Sequence, residues 1–146
     1  MSPLPTKVGH VHLKVSDLER SVSFYTAILG LDVSERVGTT FAFLSFGVEH
    51  HDLALQAHPS APPAPPQAAG LYHSAFEVEQ PAALAEVAGR LERHGVRYSP
   101  VDHGISKALY FSDPDGNGVE VYLDTRSRRT SWGGVSDTFD PHAAIA

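Results

Sequence analysis

His10, His73 and Glu120 are residue types that hold divalent metals, and each stands at a comparable place in the chain. The runs "GHVHLKV" and "LYHSAFEVE" are alternating and β-prone, and each carries a histidine near its start, 63 residues apart. In "GVEVYLD", Glu120 alternates with Val119 and Val121. The valines therefore belong on one side of a strand and the carboxylate on the other. Two imidazoles and one carboxylate on separate strands make a 2-His-1-carboxylate set, which leaves open positions on Fe(II) or Mn(II). Singly, each reads equally well as a polar residue on a solvated face; their corresponding positions favour the joint reading.

A second histidine feature is the pair His50 and His51 in "GVEHHDLAL". Imidazole titrates near neutral pH, so the pair suits acid–base chemistry or metal binding, and a solvated strand start is the plain alternative. On a flat strand His51, Leu53 and Leu55 share a face that excludes Ala54; a bulge, or a strand start near "EHH", would change this. His12 shares the parity of His10 and is a candidate for lining the same cavity. His58, His94 and His142 fall at a linker, a helix end and the tail, where surface positions are expected.

The elements that must position these groups come in a repeated pattern. A strand over 8–15 is followed by "SDLERSVSFYTAILG", a helix with Ser16 or Asp17 as cap, one apolar face through Leu18, Val22, Tyr25, Ile28 and Leu29, and Gly30 as its stop. "LDVSERV", "TTFAFLSF" and "EHHDLALQA" supply three strands. After "PSAPPAPPQAAG", too rich in proline to pack, the pattern returns: "LYHSAFEVE", a helix from Pro81 to Gly95, then "VRYSPV", "KALYFSD" and "GVEVYLD", with "DPDGNG" as a hairpin turn. Aligning "DLALQ" with "GVEVY" puts Ala54 where the second half has Glu120. The expected fold is α+β: paired βαβββ repeats forming one curved mixed sheet around a metal cavity. The expected organisation is a single domain over 1–146, with repeats at 8–57 and 71–124, a linker at 58–70 and a tail at 125–146. Repeats this short share a core.

Composition narrows the partners. With 146 residues, no cysteine and a net charge of -6, the chain offers no thiol chemistry, no disulfide and no basic footprint for nucleic acid. No long apolar run or signal pattern appears, so no membrane partner and a cytoplasmic location are expected. A small molecule is the expected partner.

"GHVHLKVSDLERSVSFYTAILGL", with "LYHSAFEVE" and "YFSDPDGNGVEVY", resembles the vicinal oxygen chelate superfamily of glyoxalases, bleomycin-binding proteins, fosfomycin resistance transferases and type I extradiol dioxygenases. The resemblance spans about residues 8 to 124. It implies a divalent metal held by His10, His73 and Glu120. Glyoxalase I has a fourth ligand where this chain has Ala54, and bleomycin-binding members lack the ligands. The resemblance is therefore strongest to single-module extradiol catechol dioxygenases, implying Fe(II), or else Mn(II) or another divalent ion, with an aromatic diol and O2 as substrates and a homodimer as assembly. It also implies His51 as acid–base group, Tyr110 as hydrogen-bond partner of the bound catecholate, and His103 as a substrate contact. His103 stands seven residues before Tyr110, where the family's histidine stands nine before. The alternatives are a fosfomycin-type Mn(II) thiol transferase, which would use Arg126 or Arg128, a glyoxalase-like lyase or isomerase, and a binding module that sequesters a small aromatic molecule. Trp132, in the tail, is expected at the cavity mouth, on a partner subunit, or on a frayed end.

Overall fold

Asp17 and Gly30 set the ends of the first helix. The Asp17 carboxylate accepts a hydrogen bond from the Arg20 amide at 3.1 Å, and Gly30, in the left-handed conformation (φ 72°), donates its N–H to the Thr26 carbonyl. In the computed structural model, which describes residues 3–143, this helix, α1 (Leu18–Leu29), follows β1 (Val11–Val15). It precedes β2 (Asp32–Val37), β3 (Phe41–Ser45) and β4 (Leu53–Ala57). The order returns as β5 (Ser74–Val78), α2 (Pro81–Arg93), β6 (Ser99–Asp102), β7 (Ser106–Ser112) and β8 (Gly118–Asp124). The tail adds β9 (Asp137–Thr138); its last three residues, 144–146, lie outside the described ones, as do the first two of the chain.

The chain divides into two compact units, one ending at Pro62 and the other starting at Pro63, inside the proline-rich stretch. In the first unit the strand order is β1-β4-β3-β2, with β1 and β4 parallel and the other pairs antiparallel. Leu13, Val15, Leu44, Leu53 and Leu55 are buried with Leu18, Val22, Tyr25 and Ile28 of α1. Each such side chain contributes roughly 1.5–3 kcal/mol on burial. Of the other parity, His12, Phe41 and Phe43 stay partly or fully exposed, while Ala54 between them is buried. Pairing passes from Val33 with Leu44 directly to Glu35 with Phe43, so Ser34 is an extra residue, a β-bulge.

In the second unit the order is β5-β8-β7-β6-β9, with β5 and β8 parallel. Leu84, Ala88 and Leu91 of α2 are buried with Leu109, Val119 and Val121 of the sheet. The α+β class and the paired βαβββ repeats are as the sequence indicates. The strands, however, hydrogen-bond as two sheets, one per repeat, rather than as one continuous curved sheet. Each repeat pairs its own first and last strands in parallel, which places β1 and β5 at the edges of their sheets.

The internal registers coincide. Val11 pairs with Leu53 as Ser74 pairs with Val119, which makes Ala54 the equivalent of Glu120. Phe43 pairs with Ala54 as Tyr110 pairs with Glu120, so Phe43 is the equivalent of Tyr110. Strands start later than the alternation suggests: His10 and His73 each stand one residue before their strand, and His51 lies two before β4. His58 is half-buried, not a surface residue, whereas His94 and His142 are exposed. No described helix is long and apolar enough to cross a membrane.

Candidate metal site and its proton-handling neighbours

In the second unit, parallel pairing of β5 with β8 sets Glu120 level with Ala75, two residues from His73. Gly118 makes the approach feasible, since a Cβ there would collide with the Tyr72 carbonyl oxygen and lie 3.1 Å from the His73 Cβ. The Asp113 carboxylate organises the preceding turn, accepting hydrogen bonds from the Asp115 and Asn117 amides at 2.9 and 2.8 Å. The outcome is a contact of 2.9 Å between His73 Nε2 and Glu120 Oε2.

That spacing suits metal ligation. Two donor atoms on adjacent vertices of an octahedron with bonds of about 2.1 Å lie roughly 3 Å apart. The other Glu120 oxygen accepts a hydrogen bond from the Tyr110 hydroxyl at 3.1 Å, and the carboxylate is buried. An imidazole and an oriented carboxylate make a donor set for Fe(II), Mn(II) or similar ions.

Tyr110 is directly opposite Glu120 in the β7–β8 pair. Burial, with the Glu120 charge and hydrogen bond beside it, pushes the phenol up to about 12, so it stays a donor at neutral pH. His103 Nε2 lies 2.8 Å from the same hydroxyl, and His103 Nδ1 lies 2.9 Å from the Val135 carbonyl in the tail. A carbonyl only accepts, so Nδ1 carries the hydrogen and the neutral ring offers Nε2 as acceptor. Tyr110 thus has two acceptors for one proton. Trp132 sets its ring edge-on to His103 at 5.8 Å and donates from Nε1 to the Val135 carbonyl at 2.7 Å, while β9 pairs with β6. An open groove of about 490 Å³ runs past His73 and Tyr110 between the proline-rich stretch and the 116–119 turn.

The first unit gathers His10 and His51. The Val11 amide donates to the Asp52 carbonyl at 3.2 Å, which ties the start of β1 to the 46–52 loop, and the His10 and His51 rings lie 4.4 Å apart. Ser45 and Asp52 brace that loop: Ser45 Oγ donates to the Glu49 carbonyl at 2.6 Å and Asp52 Oδ2 accepts from the Phe46 amide at 2.8 Å. Because His51 precedes β4, strand parity does not bind it, and its ring packs on Phe43 on the face opposite α1. Burial, then the neighbouring His10 and His50, lowers the His51 pKa from the ordinary imidazole value. His12 is exposed on the same parity as His10, 6.1 Å from the Phe41 ring.

The structure therefore brings together His73, Glu120, Tyr110 and His103 in one unit, and His10 and His51 in the other. Among the described residues, no three His, Cys, Asp or Glu side chains gather as a metal-holding group. Sequence reasoning paired His50 with His51 but missed Phe43 as a neighbour of both, Glu35 as the partner of His50, and Val135 as the partner of His103. Of the missed residues, only Phe43, equivalent to Tyr110 once the halves are aligned, left a signal.

The Glyoxalase/Bleomycin resistance protein/Dioxygenase superfamily model matches residues 7–121. The chain belongs to that superfamily. It is 36% identical over 128 residues to a catechol-2,3-dioxygenase of Bacillus subtilis (strain 168), covering 87% of this chain and 44% of that protein. It is 32% identical over 124 residues to the glutathione transferase FosA of Serratia marcescens, covering 84% of each. The chain thus spans about half the length of the catechol dioxygenase it matches. Among solved structures, a glyoxylase/bleomycin resistance protein/dioxygenase domain from Frankia sp. EAN1pec superposes with a TM-score of 0.70 at 28% identity, covering 83% of this chain and 99% of that one.

Proposed function

We propose that this superfamily member is a ring-cleaving extradiol dioxygenase acting on a catechol-type aromatic diol. The observation that carries the reading is the second-unit line His73–Glu120–Tyr110–His103, a ligand pair joined to a protonated phenol in the groove. In this reading His10 is the third ligand, as the resemblance implies, and Fe(II), with Mn(II) as the alternative, is the proposed ion. Such an ion, when bound, supplies Lewis acidity toward the diol and adjacent positions for diol and O2.

The chain's own residues do the rest. His73 and Glu120 offer donor atoms 2.9 Å apart. Tyr110 donates its hydroxyl hydrogen to a diol oxygen that enters the groove, taking it from Glu120 or His103. His51, beside His10, accepts a proton from the second diol hydroxyl and returns it as the ring opens. His103 Nε2 is one of the two acceptors of the Tyr110 hydrogen before the diol enters, while His12 stays at the open edge as a substrate contact. An aromatic diol and O2 as reactants and a homodimer as assembly belong to the same reading.

The thiol-transferase alternative rests on the match to FosA over most of both chains. Of its two candidate cations, Arg126 and Arg128, the first is engaged by Asp124, with guanidinium-to-carboxylate distances of 2.6 to 3.0 Å. The two readings separate in one assay series: the protein loaded anaerobically with Fe(II) and given catechols including 2,3-dihydroxybiphenyl, against the protein loaded with Mn(II) and given fosfomycin and a thiol. O2 uptake with a yellow ring-opened product supports the proposal. Thiol adduct formation without ring opening overturns it.

A further inference from the structure

The function proposed above uses His51 and leaves its neighbour idle. His50 Nδ1 lies 2.8 Å from His51 Nδ1, and His50 Nε2 lies 2.8 Å from Glu35 Oε1. Three side chains thus form one line of hydrogen bonds, and its chemistry has a direction. A carboxylate accepts only, so His50 carries its hydrogen on Nε2 toward Glu35. The neutral His50 ring then presents a lone pair at Nδ1. Two lone pairs cannot face each other at that distance, so His51 supplies the hydrogen from its own Nδ1. This leaves His51 Nε2 as the nitrogen with a free lone pair. We infer that Glu35 and His50 are positioning residues that fix the tautomer of His51, making Nε2 its basic atom.

The fold supports this line independently of the histidines. Glu35 follows the bulge at Ser34, so it escapes the parity that regular alternation would impose. The bulged residue holds the same loop: the single hydroxyl hydrogen of Ser34 is shared between the His50 carbonyl and the Phe43 carbonyl, the latter 3.2 Å from Oγ. Phe43 packs against both imidazoles, with centroids 5.5 Å from His50 and 5.0 Å from His51. One extra residue in β2 therefore anchors the backbone of His50 and aims the carboxylate at its ring. The adjacent pair becomes one acid–base unit whose outer half sets the inner half's orientation, the role that a second hydrogen bond plays for any functional imidazole.

The inference rests on His51 as the acid–base group, but its test does not depend on turnover. The ring nitrogens of 15N-histidine-labelled protein, without metal, are read by long-range 1H–15N correlation at pH 8, where imidazoles are neutral. The expected pattern is Nε2–H for His50 and Nδ1–H for His51. Glu35→Ala should abolish the Nδ1–H signature of His51. Glu35→Gln, whose amide oxygen still accepts from His50 Nε2, should keep it. With the metal and a catechol substrate, Glu35→Ala should lower kcat roughly tenfold, a fraction of the 10²–10⁴ that a positioned acid or base contributes, with KM unchanged. An Nε2–H tautomer at His51 in the wild-type protein, or a His51 tautomer indifferent to Glu35→Ala, overturns the inference. These tautomers in a protein that opens no catechol ring would contradict the reaction and still bear out the line.

Discussion

His103 and Tyr110 are partners: His103 Nε2 lies 2.8 Å from the Tyr110 hydroxyl, which also donates to Glu120 at 3.1 Å. The seven-residue spacing that departs from the family pattern therefore still delivers a histidine to the tyrosine. It does so because β6 and β7 are antiparallel and joined by a tight turn, in which the His103 amide donates to the Ser106 carbonyl at 2.8 Å.

If His103 acts through Tyr110, their variants do not add. Tyr110→Phe is expected to lower kcat on a catechol by roughly 10²-fold, the lower range for removing a donor aimed at developing charge. His103→Ala should cost about tenfold, and the double variant should be no worse than Tyr110→Phe alone. Steady-state kinetics of the four proteins check this; additive losses would give His103 a separate task.

Gly118 governs how closely β8 runs beneath Tyr72 and His73. Gly118→Ala should push His73 away from Glu120 and weaken divalent-metal binding about 10- to 100-fold, as loss of a ligand's supporting contacts does. It should also cost roughly 1–3 kcal/mol of stability as overpacking. Metal titration calorimetry and denaturant unfolding read the two effects separately.

The tail is clipped at its far end by His142, whose Nε2 lies 2.7 Å from Glu92 Oε1, while the Tyr98 hydroxyl donates to the same oxygen at 2.6 Å. Hydrogen bonds from Tyr98 and His142 lower the Glu92 pKa, and the bond to Glu92 raises that of His142. The depressed carboxylate contributes above its ordinary value and loses this as pH falls through the folded one. The raised imidazole contributes below its ordinary value and loses this as pH rises through the folded one. The clip should be strongest between the two ordinary values, 4.5 and 6.5. An NMR titration should place the His142 midpoint above 6.5 in the wild-type protein and lower it in Glu92→Gln.

Much of this was legible in the chain because duplication leaves a register. His10 and His73 at matching strand starts, Gly30 and Gly95 after matching helices, and Ala54 against Glu120 all follow from aligning the halves. Alternation marks faces well inside a strand and poorly at its end: it sets His51 on the face opposite Ala54, whereas β4 begins at Leu53 and leaves His51 outside the strand. The line through Glu35 depends on a single bulged residue, and an inserted residue leaves no trace in alternation. The contacts of Trp132 and Val135 depend on a two-residue strand, too short to carry any periodicity.

The measurement that bears most directly on the reaction is isotopic. Protein loaded with Fe(II) is mixed with a catechol under 18O2, and the ring-opened product is weighed by mass spectrometry. Both atoms of one 18O2 in the product, with the yield lost in His51→Ala and in Glu120→Ala, is the result expected. A product carrying no 18O, or an unaltered catechol beside stoichiometrically bound metal, would contradict the account.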